Sequence, residues 1–149
     1  MQSYATLFFF FALVAAAAVT GARFEPGPWY DTLVKPSWTP PKWLFPVAWT
    51  VLYAMIAVAG WLVWKAEGIG AALVVWAVGL ALNAAWSWLM FGEKQIGWAL
   101  ADLVGMWLSI VVFIVLALPV SQTAAWLFVP YLVWVSYAGA LNFAIWRAN

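Results

Sequence analysis

The chain has 149 residues, of which 68% are hydrophobic and 7% charged, with a net charge of +1. Soluble domains run near 45–50% apolar and about 25% charged, so six basic and five acidic side chains exclude a soluble monomer, a disordered chain and a basic surface for nucleic acid. With no Cys and no His, disulfides, thiolate nucleophiles and the commonest metal ligand and general base are also removed, which leaves an integral membrane protein with no metal site and no required cofactor expected; its apolar runs are too long and too little alternating for barrel strands, so it reads as all-α.

Charge-free intervals locate the spans. None of residues 1–22, 43–64, 68–92 or 103–146 is charged, and about 20 apolar residues suffice to cross the hydrocarbon core. The first interval predicts a helix over about 4–24. Ala16-Ala17-Ala18 resembles a cleavage site, but no basic segment precedes it, so the helix is expected to be retained.

Residues 25–41 come next, with five of the eight prolines. Proline fixes φ and removes donors, so this stretch reads as a stiff non-helical loop with one short turn near Trp29–Leu33. Trp29, Tyr30 and Trp38 suit a lid at headgroup level. A plain interfacial loop would look the same.

The second span is predicted over about 42–64, with Trp49 and Tyr53 on one face. The third, about 70–91, carries Asn83 and Trp86 on one face near mid-membrane. An Asn there needs an interhelical partner or a cavity. Ala77, Ala81 and Ala85 form a stripe of small residues that lets backbones approach closely, either within the bundle or in a homodimer. The fourth span, about 96–118, holds Asp102, the one acid well inside a span, which should face inward or reach for the headgroups; a proton relay there would lack a His or second acid. The turn Pro119–Thr123 separates it from the fifth, about 124–146, on which Trp134, Ala138 and Asn142 repeat at i, i+4, i+8. A single domain over 1–149 is expected.

Among the 14 tryptophans, Trp43, Trp61, Trp64, Trp98, Trp126 and Trp146 fall near span ends as an interfacial belt. Trp49, Trp76, Trp86, Trp107 and Trp134 lie deeper. Lipid offers their N–H groups no acceptor, so they should face the interior, as core or as the wall of a cavity for a flat ligand. Lys65 lies on the amino-terminal side of the membrane, whereas Arg23, Lys35, Lys42, Lys94 and Arg147 lie on the other. Basic residues favour the cytoplasm, which predicts an external amino terminus and a cytoplasmic loop 25–41 and carboxyl terminus.

Several segments together resemble the tryptophan-rich sensory protein/translocator protein (TspO) family. They are Trp29-Tyr30-Asp31-Thr32-Leu33-Val34-Lys35-Pro36-Ser37-Trp38-Thr39-Pro40-Pro41-Lys42-Trp43, Phe45-Pro46-Val47-Ala48-Trp49-Thr50-Val51-Leu52-Tyr53, Leu82-Asn83-Ala84-Ala85-Trp86, Gly97-Trp98-Ala99-Leu100-Ala101-Asp102-Leu103, Pro130-Tyr131-Leu132-Val133-Trp134 and Leu141-Asn142-Phe143-Ala144-Ile145-Trp146-Arg147. The resemblance implies a five-helix bundle, commonly a homodimer, with a pocket beneath the first loop. Implied ligands are porphyrins such as protoporphyrin IX, haem, sterols and isoquinoline- or benzodiazepine-type drugs. Implied pocket residues are Gly21, Tyr30, Pro40, Trp49, Tyr53, Asn83, Trp86, Leu103, Trp134 and Ala138.

The family's sterol motif is altered here to Leu141, Phe143 and Arg147, with Phe143 in the tyrosine position. The missing basic tail fits a bacterial member. The implied function is a tetrapyrrole receptor acting in sensing, scavenging or transport; the alternative is light- and oxygen-dependent porphyrin breakdown, in which Trp49 and Trp134 would supply electrons. Loop bases Lys35, Lys42 or Arg23 are candidates to meet the ligand's carboxylates.

Overall fold

A computed structural model describes residues 2–149. Its helices are α1 (Gln2–Arg23), α2 (Pro28–Thr32), α3 (Leu44–Glu67), α4 (Ala71–Ser87), α5 (Ile96–Ala117) and α6 (Gln122–Ala148), with a π-helical turn at Trp88–Gly92. Five of these segments are long and apolar enough to cross a membrane: Tyr4–Arg23, Leu44–Glu67, Ala71–Gly92, Ile96–Ala117 and Gln122–Ala148. No strand occurs among the described residues. The predicted spans therefore all form, with ends displaced by at most three residues once the π turn is counted in the third.

The spans form a ring in which α1 packs on α3 and α4, α5 on α4 and α6, and α6 on α3. Side chains such as Phe8 (75% exposed) and Val115 (62%) point outward. In water such a surface would be a liability; in lipid it is the ordinary exterior. α3 and α4 meet where Trp76 lies across Gly60. A Cβ on Gly60 would come within 2.5 Å of the Trp76 ring, and the Trp76 indole donates to the Ile56 carbonyl at 2.9 Å. α5 and α6 close in the same way, since a Cβ on Gly139 would meet Leu103 Cδ2 at 2.9 Å. Close backbone approach at small residues is how helices associate where no hydrophobic effect separates them from solvent.

The third span departs from a plain helix. After Ser87 the Glu93 amide reaches back five residues to the Trp88 carbonyl, at 2.8 Å. A π turn takes in one extra residue and rotates the residues beyond it. Here it sets Phe91 against Trp86 (5.5 Å between centroids) and Tyr30 (5.7 Å), both edge-to-face.

Loop 25–41 folds over the bundle end. Its helical turn is α2, begun by Pro28 at a position where a missing N–H costs nothing. Tyr137 Oη donates to the Trp38 carbonyl at 2.6 Å. The Asn149 side chain accepts from the Val34 amide at 3.1 Å and donates to its carbonyl at 2.9 Å. The loop is thereby fastened to α6 as a lid, and the carboxyl terminus lies at the same end. At the other end the Trp61 indole on α3 donates to Thr6 Oγ1 on α1 at 3.2 Å, with Lys65 Nζ 4.2 Å above its ring.

Two expectations for tryptophan need correcting. Trp107 does not face the interior. It is 37% exposed, and its N–H is satisfied at 2.8 Å by Ser136 Oγ on the neighbouring helix, so a surface serine supplies the acceptor that lipid lacks. Trp61 is more than a belt residue, because it is packed between α1 and Lys65. Trp43, Trp98, Trp126 and Trp146 are exposed near span ends as a belt requires.

Candidate functional site

A cavity of about 700 Å³ opens at the lid end between α1, α3 and α4. The face begun by Trp49 and Tyr53 extends one turn back to Phe45, and all three line it, with Trp49 and Tyr53 stacked at 5.5 Å. Gly21 on α1 leaves space there: a Cβ would sit 3.7 Å from Ser87 Oγ and 3.9 Å from Tyr53 Oη. Asn83, Trp86 and Ser87 from α4, together with Phe91 from the π turn, form the opposite wall. Glu25 and Lys42 stand among the lining residues contributed by the loop.

The buried polar groups behind the wall are joined in two networks. Tyr53 Oη donates to Asn83 Oδ1 at 3.1 Å, and Asn83 Nδ2 donates to Tyr131 Oη at 2.8 Å. The Trp86 indole donates to Asn142 Oδ1 at 3.0 Å, and Asn142 Nδ2 donates to the Ile96 carbonyl at 3.2 Å. The first network ties α3, α4 and α6 near mid-membrane, where lipid offers no substitute, and the second ties α4 and α6 to the start of α5 nearer the lid. Asn83 is thus both the interhelical tie and a cavity residue; the two readings of the sequence coincide.

The ten residues implied by the resemblance divide into two sets. Gly21, Trp49, Tyr53, Asn83 and Trp86 line the cavity. Trp134 and Ala138 do not line it, although Trp134 meets two residues that do, Trp49 edge-on at 6.4 Å and Phe45 at 6.0 Å. Leu103 is buried against Gly139. Tyr30 and Pro40 are buried in the lid. Lys35 donates to the Tyr30 carbonyl at 2.8 Å and lies 4.7 Å over its ring. Burial, then the nearby Tyr137 and Asp31, raise the Tyr30 phenol above the usual tyrosine range.

Among the described residues, three buried polar side-chain atoms have no hydrogen-bond partner: Tyr30 Oη, Trp134 Nε1 and Asp102 Oδ2. Asp102 therefore turns a carboxylate oxygen into the protein. In the altered sterol motif, Leu141 is buried in the core while Phe143 and Arg147 face outward with the guanidinium 5.7 Å from the ring; the three do not share a surface. Of the stripe, Ala77 and Ala81 are exposed on the outer face of α4 and Ala85 is half-buried.

Sequence reasoning did not anticipate Phe45, Ser87 and Phe91 as lining residues. Phe45 was readable as the i−4 neighbour of Trp49. Phe91 was not, because its direction depends on the π turn.

Five apolar spans around an aromatic cavity with a hydrogen-bonded floor define a multi-pass membrane protein built to hold a small hydrophobic molecule. The TspO/MBR family matches residues 7–147. The chain is 44% identical to Protein CrtK of Rhodobacter capsulatus over 144 residues, covering 94% of this chain and 90% of that one. It is 42% identical to the tryptophan-rich sensory protein of Cereibacter sphaeroides, covering 99% and 94%, and 39% identical to the human translocator protein, covering 87% and 81%. The chain belongs to the TspO/MBR family.

Proposed function

We propose that this membrane receptor binds a flat tetrapyrrole, protoporphyrin IX or haem, between α1, α3 and α4, and acts in tetrapyrrole sensing, scavenging or transport. The observation that carries the reading is the cavity itself: about 700 Å³, walled by Phe45, Trp49, Tyr53, Trp86 and Phe91, within the size range of small-molecule sites. Aromatic walls stack on a macrocycle. The lining is largely aromatic and holds no His, Cys or Met, so this reading rests recognition on the macrocycle face rather than on iron ligation.

The test is quenching of intrinsic fluorescence by protoporphyrin IX in lipid nanodiscs. Trp49→Ala should weaken binding by about two- to twelvefold, the equivalent of roughly 0.5–1.5 kcal/mol for a lost aromatic pair. Trp126→Phe, on the exposed belt, is the control. Equal binding by parent and Trp49→Ala would place the porphyrin elsewhere. A second reading, light- and oxygen-dependent breakdown, draws on the contact between Trp49 at the wall and Trp134 beside it. Loss of porphyrin absorbance under aerobic but not anaerobic illumination would favour it, provided Trp49→Phe abolishes the loss.

The same proposal includes orientation and assembly. Arg23, Lys35, Lys42, Lys94 and Arg147 gather at the lid end and Lys65 at the other, so the lid faces the cytoplasm. Ser37→Cys should be labelled only after permeabilisation, and Ile69→Cys, 84% exposed at the opposite end, in intact cells. The reverse pattern inverts the topology. The exposed Ala77 and Ala81 suit close packing against a second copy; an unchanged dimer fraction in Ala81→Leu would rule that contact out.

A further inference from the structure

We propose that Lys42 is the residue that recognises a carboxylate on the bound molecule, and that Asp31 of the lid is its built-in competitor. The inference rests on the reading of the cavity as a ligand site and gives its occupant a chemical class: a flat apolar acid, with one carboxylate at the mouth.

Three loop bases are near enough in sequence to serve, and the structure separates them. Lys35 is spent on the lid itself, donating to the Tyr30 carbonyl at 2.8 Å and the Leu33 carbonyl at 3.2 Å. Arg23 is not among the cavity-lining residues. Lys42 is, in company with Trp43, Phe45, Pro46 and Trp49, so its side chain borders the aromatic wall, within reach of the mouth. A macrocycle stacked on that wall carries its acidic substituent towards the only base that lines the cavity among the described residues.

Lys42 already holds a carboxylate. Its Nζ is 2.6 Å from Asp31 Oδ1, and both side chains are about half exposed, at 50% and 55%. Asp31 lies on α2, whereas Lys42 closely precedes α3; the pair therefore joins the lid to the cavity rim. Exposed ion pairs contribute little and are screened by salt. A ligand carboxylate that arrives with its apolar body already buried can exchange for Asp31 at small cost, and the lid loses one fastening as the site fills. The fastenings through Tyr137 and Asn149 are untouched by that exchange. Glu25, the acid that lines the same cavity, repels a second carboxylate, so one acid group engages Lys42 and any other points away from Glu25.

The test compares acids with their uncharged esters in zwitterionic nanodiscs: protoporphyrin IX against its dimethyl ester, and 1-pyrenebutyric acid against its methyl ester. The acid-to-ester affinity ratio cancels effects on fold and on the apolar wall. The parent should prefer the acid about two- to fivefold, the worth of an exposed pair. Lys42→Gln should bring the ratio to about one with ester affinity kept, Lys42→Arg should restore it, and Asp31→Asn should raise it about two- to fivefold, in line with the small worth of an exposed pair. Added salt should lower the parent's ratio and leave that of Lys42→Gln unchanged.

A Lys42→Gln ratio equal to the parent's, or an Asp31→Asn ratio that does not rise, overturns the proposal. If neither porphyrin binds while the pyrene pair shows the Lys42-dependent preference, the tetrapyrrole reading falls and the carboxylate assignment stands. If the porphyrins bind with no acid preference, the reverse holds.

Discussion

The two halves of the bundle differ in how completely they are packed. Away from the lid, Ala57, Ala59, Val63, Phe113, Ala117 and Ala124 are fully buried, Phe113 stacks on Phe128 at 4.1 Å, and the close contact of Gly60 with Trp76 leaves no room for a methyl group. Toward the lid lie the cavity, both asparagine networks and the unpartnered buried atoms of Tyr30, Asp102 and Trp134. Close packing is concentrated in one half, and unfilled space, which a ligand can occupy, in the other. Binding sites are commonly drawn from the less stable parts of a structure; here the closed half supplies the rigidity that lets the other remain open.

Breaking the closed half should have the largest effect. Gly60→Ala drives a Cβ into Trp76, and overpacking of this kind costs about 1–3 kcal/mol. Thermal unfolding in nanodiscs should show a clear drop in Tm, while molecules that remain folded keep their porphyrin affinity. A Tm unchanged from the parent would mean that the Trp76 ring moves freely, contrary to its bond with Ile56.

Asn83→Ala tests the boundary between the halves, because it strips partners from Tyr53 and Tyr131 together. Interhelical hydrogen bonds in membranes average about 0.6 and reach about 1.7 kcal/mol, so a loss near 1–2 kcal/mol is expected, with weaker ligand binding. Unlike Gly60→Ala, it should move both measurements.

Trp134→Phe removes the unpartnered N–H but keeps the aromatic edge against Trp49 and Phe45. Stability from thermal unfolding should stay within about 0.5 kcal/mol of the parent, as for a substitution that leaves packing in place, and porphyrin affinity should change less than in Trp49→Ala. Equal losses in the two would bring Trp134 to the ligand surface.

The smallest effect belongs to Tyr30→Phe, which deletes a buried hydroxyl that has no partner and should be neutral or slightly stabilising. It also sets a pH signature. Burial raises the Tyr30 phenol in the folded lid, so its contribution is complete below the ordinary tyrosine range near pH 10 and is lost as pH climbs from there through the raised value. Parent and Tyr30→Phe should match in thermal unfolding at pH 8, and the parent alone should lose further stability at alkaline pH through this group.

Five spans and the proline-rich lid were legible in the sequence because length, hydropathy and proline act locally: a charge-free stretch of about 20 residues has one stable form in lipid. The faces of α3 and α4 were legible too, since Trp49 with Tyr53 and Asn83 with Trp86 obey helical spacing. What periodicity could not decide is which helix stands beside which. The sequence placed Trp134 and Ala138 on an inward face, and they are inward, yet they do not line the cavity, which is formed by α1, α3 and α4. Trp107 was inward by the lipid argument until a serine on another helix met it. Phe91 enters the cavity only because a π turn rotates the end of the third span. Spans and lid follow from composition within one segment; the cavity, its lining base and that base's acidic partner on the lid arise from contacts between segments, and only the tertiary structure decided those.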